Sequence, residues 1–164
     1  MIENYLVYLD LPPVPEELID PIEDIINGRS MLETVPNTPC PPESYYYFQV
    51  RAASPKLIEW TRDTFRTCAL AKYQIIREGI EIHNDIPFGR RVGFNYVIQT
   101  GGPKVSTNIY DENKKLICSE IIQPKRWHRL KIDEYHDVTG MVTERIAINI
   151  TLQNYVWNDP KRIW

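Results

Sequence analysis

The sequence is short of cysteine and glycine and contains no long apolar run. Its three cysteines, Cys40, Cys68 and Cys118, are odd in number and share no CxxC spacing. This argues against a disulfide framework or a thiolate zinc site, and it favours a reducing compartment such as the cytoplasm. No stretch is apolar for long enough to span a membrane, and no basic segment followed by an apolar one opens the chain, so we expect neither a membrane span nor a secretory signal.

Positive charge is not in excess either. The chain has 19 basic and 22 acidic residues, a net charge of −3. Binding to nucleic acid irrespective of sequence depends on a basic surface that neutralises phosphates, so we expect no nucleic-acid partner. The remaining composition, with 43% hydrophobic and 25% charged residues among 164, is typical of one folded domain with its own core.

The 13 prolines are concentrated in the first third of the chain. A 3.6-residue apolar period predicts a helix over 16–26. The four prolines of 35–44 predict an extended loop, the only loop long enough to serve as a lid. A strand is predicted over 45–52, followed by a helix with Ser54 as its N-cap and Pro55 at its first position. We interpret residues 1–66 as an N-terminal, helical and proline-rich elaboration.

From residue 69 the apolar period changes to two. Short segments rich in Ile, Val, Tyr and Thr alternate with turn signals such as Gly101-Gly102-Pro103. They predict strands over 71–77, 80–85, 92–99, 105–110, 115–122, 128–132 and 143–152. This spacing is typical of a mainly β sandwich or barrel with helices packed outside. We expect a single domain over 1–164, with a β-barrel core at 67–157 and a docked tail at 158–164.

The last predicted strand has two dissimilar faces. Ile146, Ile148 and Ile150 lie on one face, and Arg145, Ala147 and Asn149 lie on the other, because side chains alternate along a strand. The polar face is interpreted either as the lining of a cavity or as a solvent-exposed surface.

Two of the three histidines stand beside acids. His83 and Asp85 are two residues apart and share a face of a strand, with Ile80 and Ile82 on the opposite face. His136 follows much later, just before the last strand. Two imidazoles and one carboxylate form the facial triad that binds non-haem Fe(II) and leaves three coordination positions open. The third histidine, His128, lies in a basic cluster (Lys125, Arg126, Arg129 and Lys131) that we interpret as a solvent-facing surface.

A guanidinium inside a barrel needs an anionic partner, and its planar fork matches a carboxylate. His83-x-Asp85, then His136, then Arg145 on the following strand therefore resemble the Fe(II)/2-oxoglutarate-dependent oxygenases with a double-stranded β-helix. More narrowly, residues 80–152 resemble the aspartyl/asparaginyl β-hydroxylase-like members and related small enzymes of phage and bacteria. The stretches Arg91 to Asn95 and Gly102 to Tyr110 also resemble that family's pattern.

The resemblance implies a jelly-roll or cupin-like barrel that holds Fe(II) through His83, Asp85 and His136. It implies that Arg145 pairs with the distal carboxylate of 2-oxoglutarate. Further contacts to this cosubstrate or to the ligands are implied for Asn95, Arg91, Thr107 and Asn149. The implied reaction is hydroxylation of an amino-acid side chain in a peptide or protein.

Two alternatives stay open. The same fold could serve as a non-catalytic assembly protein, for example of a phage particle, with a homo-oligomer or a virion component as its partner. It could also be a cupin-like metal protein without 2-oxoglutarate. The position of Arg145 distinguishes them, since only the oxygenase hypothesis requires it inside the barrel.

Overall fold

This computed structural model describes residues 2–28, 48–66 and 70–151 of the chain. These residues contain ten strands and two α-helices. The helices are α1 (Ile22–Asn27) and α2 (Pro55–Phe65). The strands are β1 (Leu6–Tyr8), β2 (Phe48–Ala52), β3 (Leu70–Ile76), β4 (Ile80–His83), β5 (Val92–Gln99), β6 (Ser106–Tyr110), β7 (Leu116–Glu120), β8 (Trp127–Lys131), β9 (Tyr135–Thr139) and β10 (Arg145–Thr151). Short 3-10 turns occupy Ile2–Asn4, Glu16–Leu18 and Ile86–Phe88.

The strands form two antiparallel sheets. The larger has the order β1-β8-β5-β10-β3-β2, and the smaller has the order β4-β9-β6-β7. From β3 onward the chain passes back and forth between the sheets, so that β3 to β10 form an eight-stranded jelly roll. The mainly β fold class, a double-stranded β-helix with helices packed outside, is thereby confirmed. The strands β1 and β2, from the N-terminal part of the chain, extend the larger sheet at its two edges.

The main core lies on the outer side of the larger sheet, beneath the helices. The aliphatic face of β10 is completely buried there, through Ile146, Ile148 and Ile150. Helix α2 begins where the sequence predicts it, and the Ser54 hydroxyl accepts a hydrogen bond from the Leu57 amide at 3.4 Å. Its Phe65 ring packs edge-on against Trp127, with ring centroids 5.0 Å apart.

The structure corrects two expectations about local structure. The helix predicted over 16–26 is divided into the turn Glu16–Leu18 and helix α1, because Pro21 disfavours helical backbone in the residue before it. The strands β1 and β9 were not predicted. In β9 Asp137, which is buried on the face of the sheet opposite His136, interrupts the hydrophobic pattern. The strand accommodates it because Asn108 and Tyr110 of β6 donate hydrogen bonds to its carboxylate, each at 2.7 Å.

Several expectations fall on residues outside the described ranges. These are the lid over 35–44, the first three residues of the strand predicted over 45–52, and the tail at 158–164. Helix α2, with 11 residues, is the longer α-helix of the described chain. Within those ranges no helix combines the length and apolar character that crossing a bilayer requires.

The packing of α2 can be tested with two matched substitutions. Leu57 is 0% exposed and Leu116 is 53% exposed. Leu57→Ala leaves a cavity under the helix and should lower the free energy of unfolding by about 2–5 kcal/mol. Leu116→Ala should change it by less than about 0.5 kcal/mol. Urea denaturation followed by circular dichroism measures both, and equal losses would contradict this position of the core.

Candidate active site

A cavity of about 70 Å³ lies between the two sheets. This is several times the roughly 10–15 Å³ that one water molecule requires. The larger sheet contributes alternate residues of four adjacent strands, and the smaller sheet and the chain after β4 complete the wall. The polar face of β10 therefore lines a cavity and is not exposed to solvent. The lining residues are Gln74, Ile76, Ile80, His83, Asp85, Arg90, Gly93, Asn95, Thr107, His128, Leu130, Ile132, His136, Val138, Arg145, Ala147 and Asn149.

His83 and His136 face each other across neighbouring strands. They are register partners in the antiparallel pair β4 and β9, so their side chains project from the same face of the sheet. Their ring centroids are 4.3 Å apart. The register shifts between Ile80 and His83, which interrupts the alternation of side chains along β4. Ile80 and His83 therefore both line the cavity. The expectation that Ile80 lies on the face opposite His83 is therefore wrong.

Asp85 joins the two histidines from just beyond the end of β4. Its amide donates a hydrogen bond to the Ile132 carbonyl at 2.8 Å, which holds the backbone against the chain that follows β8. Asp85 Oδ1 lies 3.6 Å from His83 Nε2. One donor atom from each of His83, Asp85 and His136 lies within 4.8 Å of the others. Three residues that are distant in sequence thus form one potential metal site, the only such cluster in the described chain.

The two imidazoles are oriented for metal binding. His83 Nδ1 lies 2.7 Å from the Glu81 carbonyl, and His136 Nδ1 lies 2.9 Å from the Glu134 carbonyl. A carbonyl oxygen can only accept, so in each ring Nδ1 is the donor and Nε2 is the nitrogen left for a metal. Burial, reinforced by the neighbouring His83, lowers the pKa of His136 to about 4, and this ring is neutral at physiological pH.

Arg145 places a positive charge inside the same cavity. Its side chain is buried, with 6% of the residue exposed, and its Nη1 donates a hydrogen bond to Thr107 Oγ1 at 3.2 Å. No carboxylate among the described residues forms an ion pair with it. Burial lowers the pKa of Arg145 to about 10, which still leaves the guanidinium charged at pH 7. Burying a cation without a counter-ion costs free energy, so an anion that binds beside Arg145 would be stabilised.

The remaining predicted site residues are divided between the cavity and the surface. Thr107, Asn95 and Asn149 line the cavity, and Asn149 Nδ2 donates a hydrogen bond to Asn95 Oδ1 at 2.8 Å. Arg91 is exposed and is not part of the lining. Its neighbour Arg90 lines the cavity, where its Nη2 lies 2.9 Å from Asp85 Oδ2.

His128 is a site residue that sequence reasoning missed. It was expected to face solvent, but it is 1% exposed and lines the cavity. Arg129, expected on the same solvated surface, is also buried. One face of β8 lines the cavity, through His128 and Leu130, and its other face is also buried. Both edges of the strand are paired, with β1 and β5, and β1 was not predicted from the sequence. Burial, reinforced by the nearby Arg145, lowers the pKa of His128 to about 3, so the ring is neutral.

The fold is similar to that of solved structures. A prolyl hydroxylase from Trichoplax adhaerens, solved in complex with a peptide fragment of the hypoxia inducible factor oxygen degradation domain, matches 90% of this chain and 82% of its own with a TM-score of 0.56 and 12% sequence identity. The chain has the fold of this hydroxylase. No protein-family model matches the sequence, and no curated protein matches it.

Two further solved structures are similar over shorter lengths. An oxidoreductase of the 2OG-Fe(II) oxygenase family from Burkholderia pseudomallei matches 59% of this chain with a TM-score of 0.42 and 9% identity. The chain spans about half of that protein, 51% of its length. Procruciferin, an 11S globulin from Brassica napus, matches 71% of this chain and 30% of its own, with a TM-score of 0.38 and 9% identity.

The metal site can be tested by titration with Mn²⁺, which is stable in air. Removing an outer partner of a metal ligand typically costs 10–100-fold in affinity, so removing a ligand with Asp85→Ala should cost at least roughly 100-fold. Asp137→Asn is the matched control, because Asp137 follows His136 directly but bonds to Asn108 and Tyr110 on the other face of the sheet. Isothermal titration calorimetry should show Mn²⁺ binding to this control and to the wild type. Undiminished binding to Asp85→Ala would contradict the site.

The neutral His128 makes stability depend on pH. Its pKa in the folded protein is below the ordinary value of 6.5, so the unfolded chain takes up the proton first as the pH falls. Its contribution should therefore lower stability progressively below about pH 6.5. His128→Asn removes this group, and its melting temperature should fall less steeply than that of the wild type between about pH 7 and 5. Identical slopes in thermal unfolding would show that His128 is not buried in its neutral form.

Proposed function

We propose that this protein is an Fe(II)- and 2-oxoglutarate-dependent dioxygenase that hydroxylates an amino-acid side chain of a peptide or protein. The observation that carries the proposal is a single cavity that contains two histidines with one carboxylate and also a buried guanidinium without a carboxylate partner among the described residues. The first suits a redox-active divalent metal, and the second suits a dicarboxylate. A structural role alone requires neither.

The donor set fits Fe(II). Nε2 of His83, Nε2 of His136 and one oxygen of Asp85 would hold the metal. The described lining residues include no cysteine that would favour a structural zinc ion. When bound together, Fe(II) and 2-oxoglutarate supply the oxidation: one atom of O₂ enters a substrate C–H bond, and the other enters succinate as CO₂ is lost. The protein contributes the ligand geometry and a cavity shielded from bulk water.

Arg145 would bind the distal carboxylate of 2-oxoglutarate. Its guanidinium can donate two parallel hydrogen bonds to a carboxylate, and the Thr107 contact at 3.2 Å holds one of its nitrogens in place. Asn95 and Asn149 are further candidates for contacts within the cavity. This arrangement also favours the oxygenase over the assembly protein, which would not require Arg145 inside the barrel.

The surface beside the metal ligands is compatible with a peptide substrate. Ile86, directly after Asp85, is 60% exposed, so an apolar side chain is accessible next to the proposed metal. This side chain could contribute one apolar contact to such a substrate. The similar Trichoplax hydroxylase was solved with a peptide, which supports the same substrate class here.

The experiment that tests this function measures succinate formed from 2-oxoglutarate in the presence of Fe(II), ascorbate and air. The wild type should form succinate even without substrate, through uncoupled turnover. Arg145→Lys keeps the charge but loses the fork, so the KM for 2-oxoglutarate should rise roughly tenfold or more. Its affinity for Mn²⁺ should stay within about threefold of the wild type, because Lys leaves the three ligands in place.

Absence of succinate from a metal-loaded wild type would contradict the proposal. Mn²⁺ binding without any turnover or 2-oxoglutarate binding would favour the cupin-like metal protein. An Arg145→Lys variant with an unchanged KM would show that the dicarboxylate binds elsewhere.

A further inference from the structure

The segment after β4 folds back on itself and returns Arg90 to Asp85. The Arg90 amide donates a hydrogen bond to the Asp85 carbonyl at 3.3 Å, and the Gly89 amide donates one to the Ile86 carbonyl at 2.9 Å. Gly89 has a φ of +70°, a left-handed conformation that glycine adopts without strain. The sequence Ile-Pro-Phe-Gly after Asp85 therefore forms a tight turn that carries the Arg90 side chain to the metal site.

The two oxygens of Asp85 have different neighbours. Asp85 Oδ2 lies 2.9 Å from Arg90 Nη2, whereas Asp85 Oδ1 lies 3.6 Å from His83 Nε2. The side chains of Arg90 and Asp85 are only 21% and 10% exposed, so water competes weakly for this ion pair. One oxygen faces the imidazoles, and the other is engaged by the guanidinium.

We infer that Arg90 is a positioning residue that restricts Asp85 to binding the metal through one oxygen. A carboxylate can bind a metal through one oxygen or through both. The triad leaves three coordination positions open only if Asp85 uses one oxygen. A 2-oxo acid that chelates the metal would need two of these positions, and O₂ would need the third. The inference rests on the proposed function and assigns Arg90 the task of keeping those positions available.

This role differs from strengthening metal binding. An outer partner of a ligand usually strengthens metal binding, but the positive charge of Arg90 also repels a dication. Because these two effects oppose each other, removal of Arg90 should not weaken metal binding. Removal should instead release Asp85 Oδ2 to occupy a position that the chelating cosubstrate uses. Metal affinity and cosubstrate affinity should therefore respond differently to the same substitution.

The test compares Arg90→Ala with Arg91→Ala, which removes the same charge from the exposed neighbouring residue. Mn²⁺ alone is titrated first, followed by 2-oxoglutarate and by succinate in the presence of Mn²⁺, all by calorimetry. Succinate carries the same two charges but lacks the 2-oxo group and cannot form the 2-oxo acid chelate. It therefore separates the loss of a coordination position from the loss of a positive charge.

For Arg90→Ala, we expect an affinity for Mn²⁺ that is unchanged or tighter. The Kd for 2-oxoglutarate should rise about tenfold, and the Kd for succinate by no more than about threefold. The charge-transfer absorption of the anaerobic Fe(II)–2-oxoglutarate chelate should weaken in parallel. Arg91→Ala should change none of these values, and Arg90→Lys, which keeps a donor near Asp85, should restore part of the 2-oxoglutarate affinity.

Three results with Arg90→Ala would overturn the inference. An equal rise of both Kd values would show that Arg90 acts through its charge alone. A Mn²⁺ affinity more than about tenfold weaker would show that Arg90 builds the ligand set instead of restricting it. Unchanged binding of Mn²⁺ and both diacids would show that the contact has no effect, and the proposed function would survive. A wild type that binds no Mn²⁺ would contradict both the inference and the proposed function.

If circular dichroism shows that Arg90→Ala does not fold, Arg90→Met is tested in its place. Methionine retains an aliphatic side chain without a hydrogen-bond donor, and the same results are expected.

Discussion

Strand β10 is covered on both faces, and the rest of the structure depends on this constraint. It lies between β5 and β3, with its aliphatic face under the helices and its polar face toward the smaller sheet. A polar group removed from water must find partners inside the protein. Asn149 obtains one from Asn95, and Arg145 obtains one from Thr107. The charge of Arg145 has no counterpart among the described residues, and this makes the cavity a candidate site for an anion.

The charges around the cavity explain why a metal and a dicarboxylate would bind together. Arg90 and Arg145 are positive and Asp85 is negative, while burial holds His128 and His136 neutral. In the proposed function, a dication and a dianion enter a site with low solvent exposure. Either ion alone would shift the net charge of a poorly solvated cavity by two units, whereas the pair adds none. Since uncompensated charge is costly away from water, each ion should favour binding of the other.

The sequence predicts which residues form the site better than it predicts how the strands around the cavity are arranged. The chemistry of His83, Asp85, His136 and Arg145 follows from residue type and order along the chain, and the structure brings all four to one cavity. The inward position of His128 was not predictable in the same way. The burial of His128 depends in part on β1, because Tyr8 of β1 is its register partner and their rings are in contact. A strand of three residues is too short to leave a periodic pattern. The contact of Arg90 with Asp85 depends on the turn between them, which a spacing of five residues does not reveal.

In β10 the sequence by itself determined which side chains share a face. Arg145 and Ile146 lie on opposite faces of β10 irrespective of the remaining fold, because successive side chains along a strand point to opposite faces. Only the tertiary structure decided which faces meet. The pairing of β4 with β9 places His83 opposite His136, and the sheet order makes β8 an interior strand with both edges paired. Strand register and sheet order arise from contacts between residues far apart in the chain, and local patterns in one sequence do not encode them.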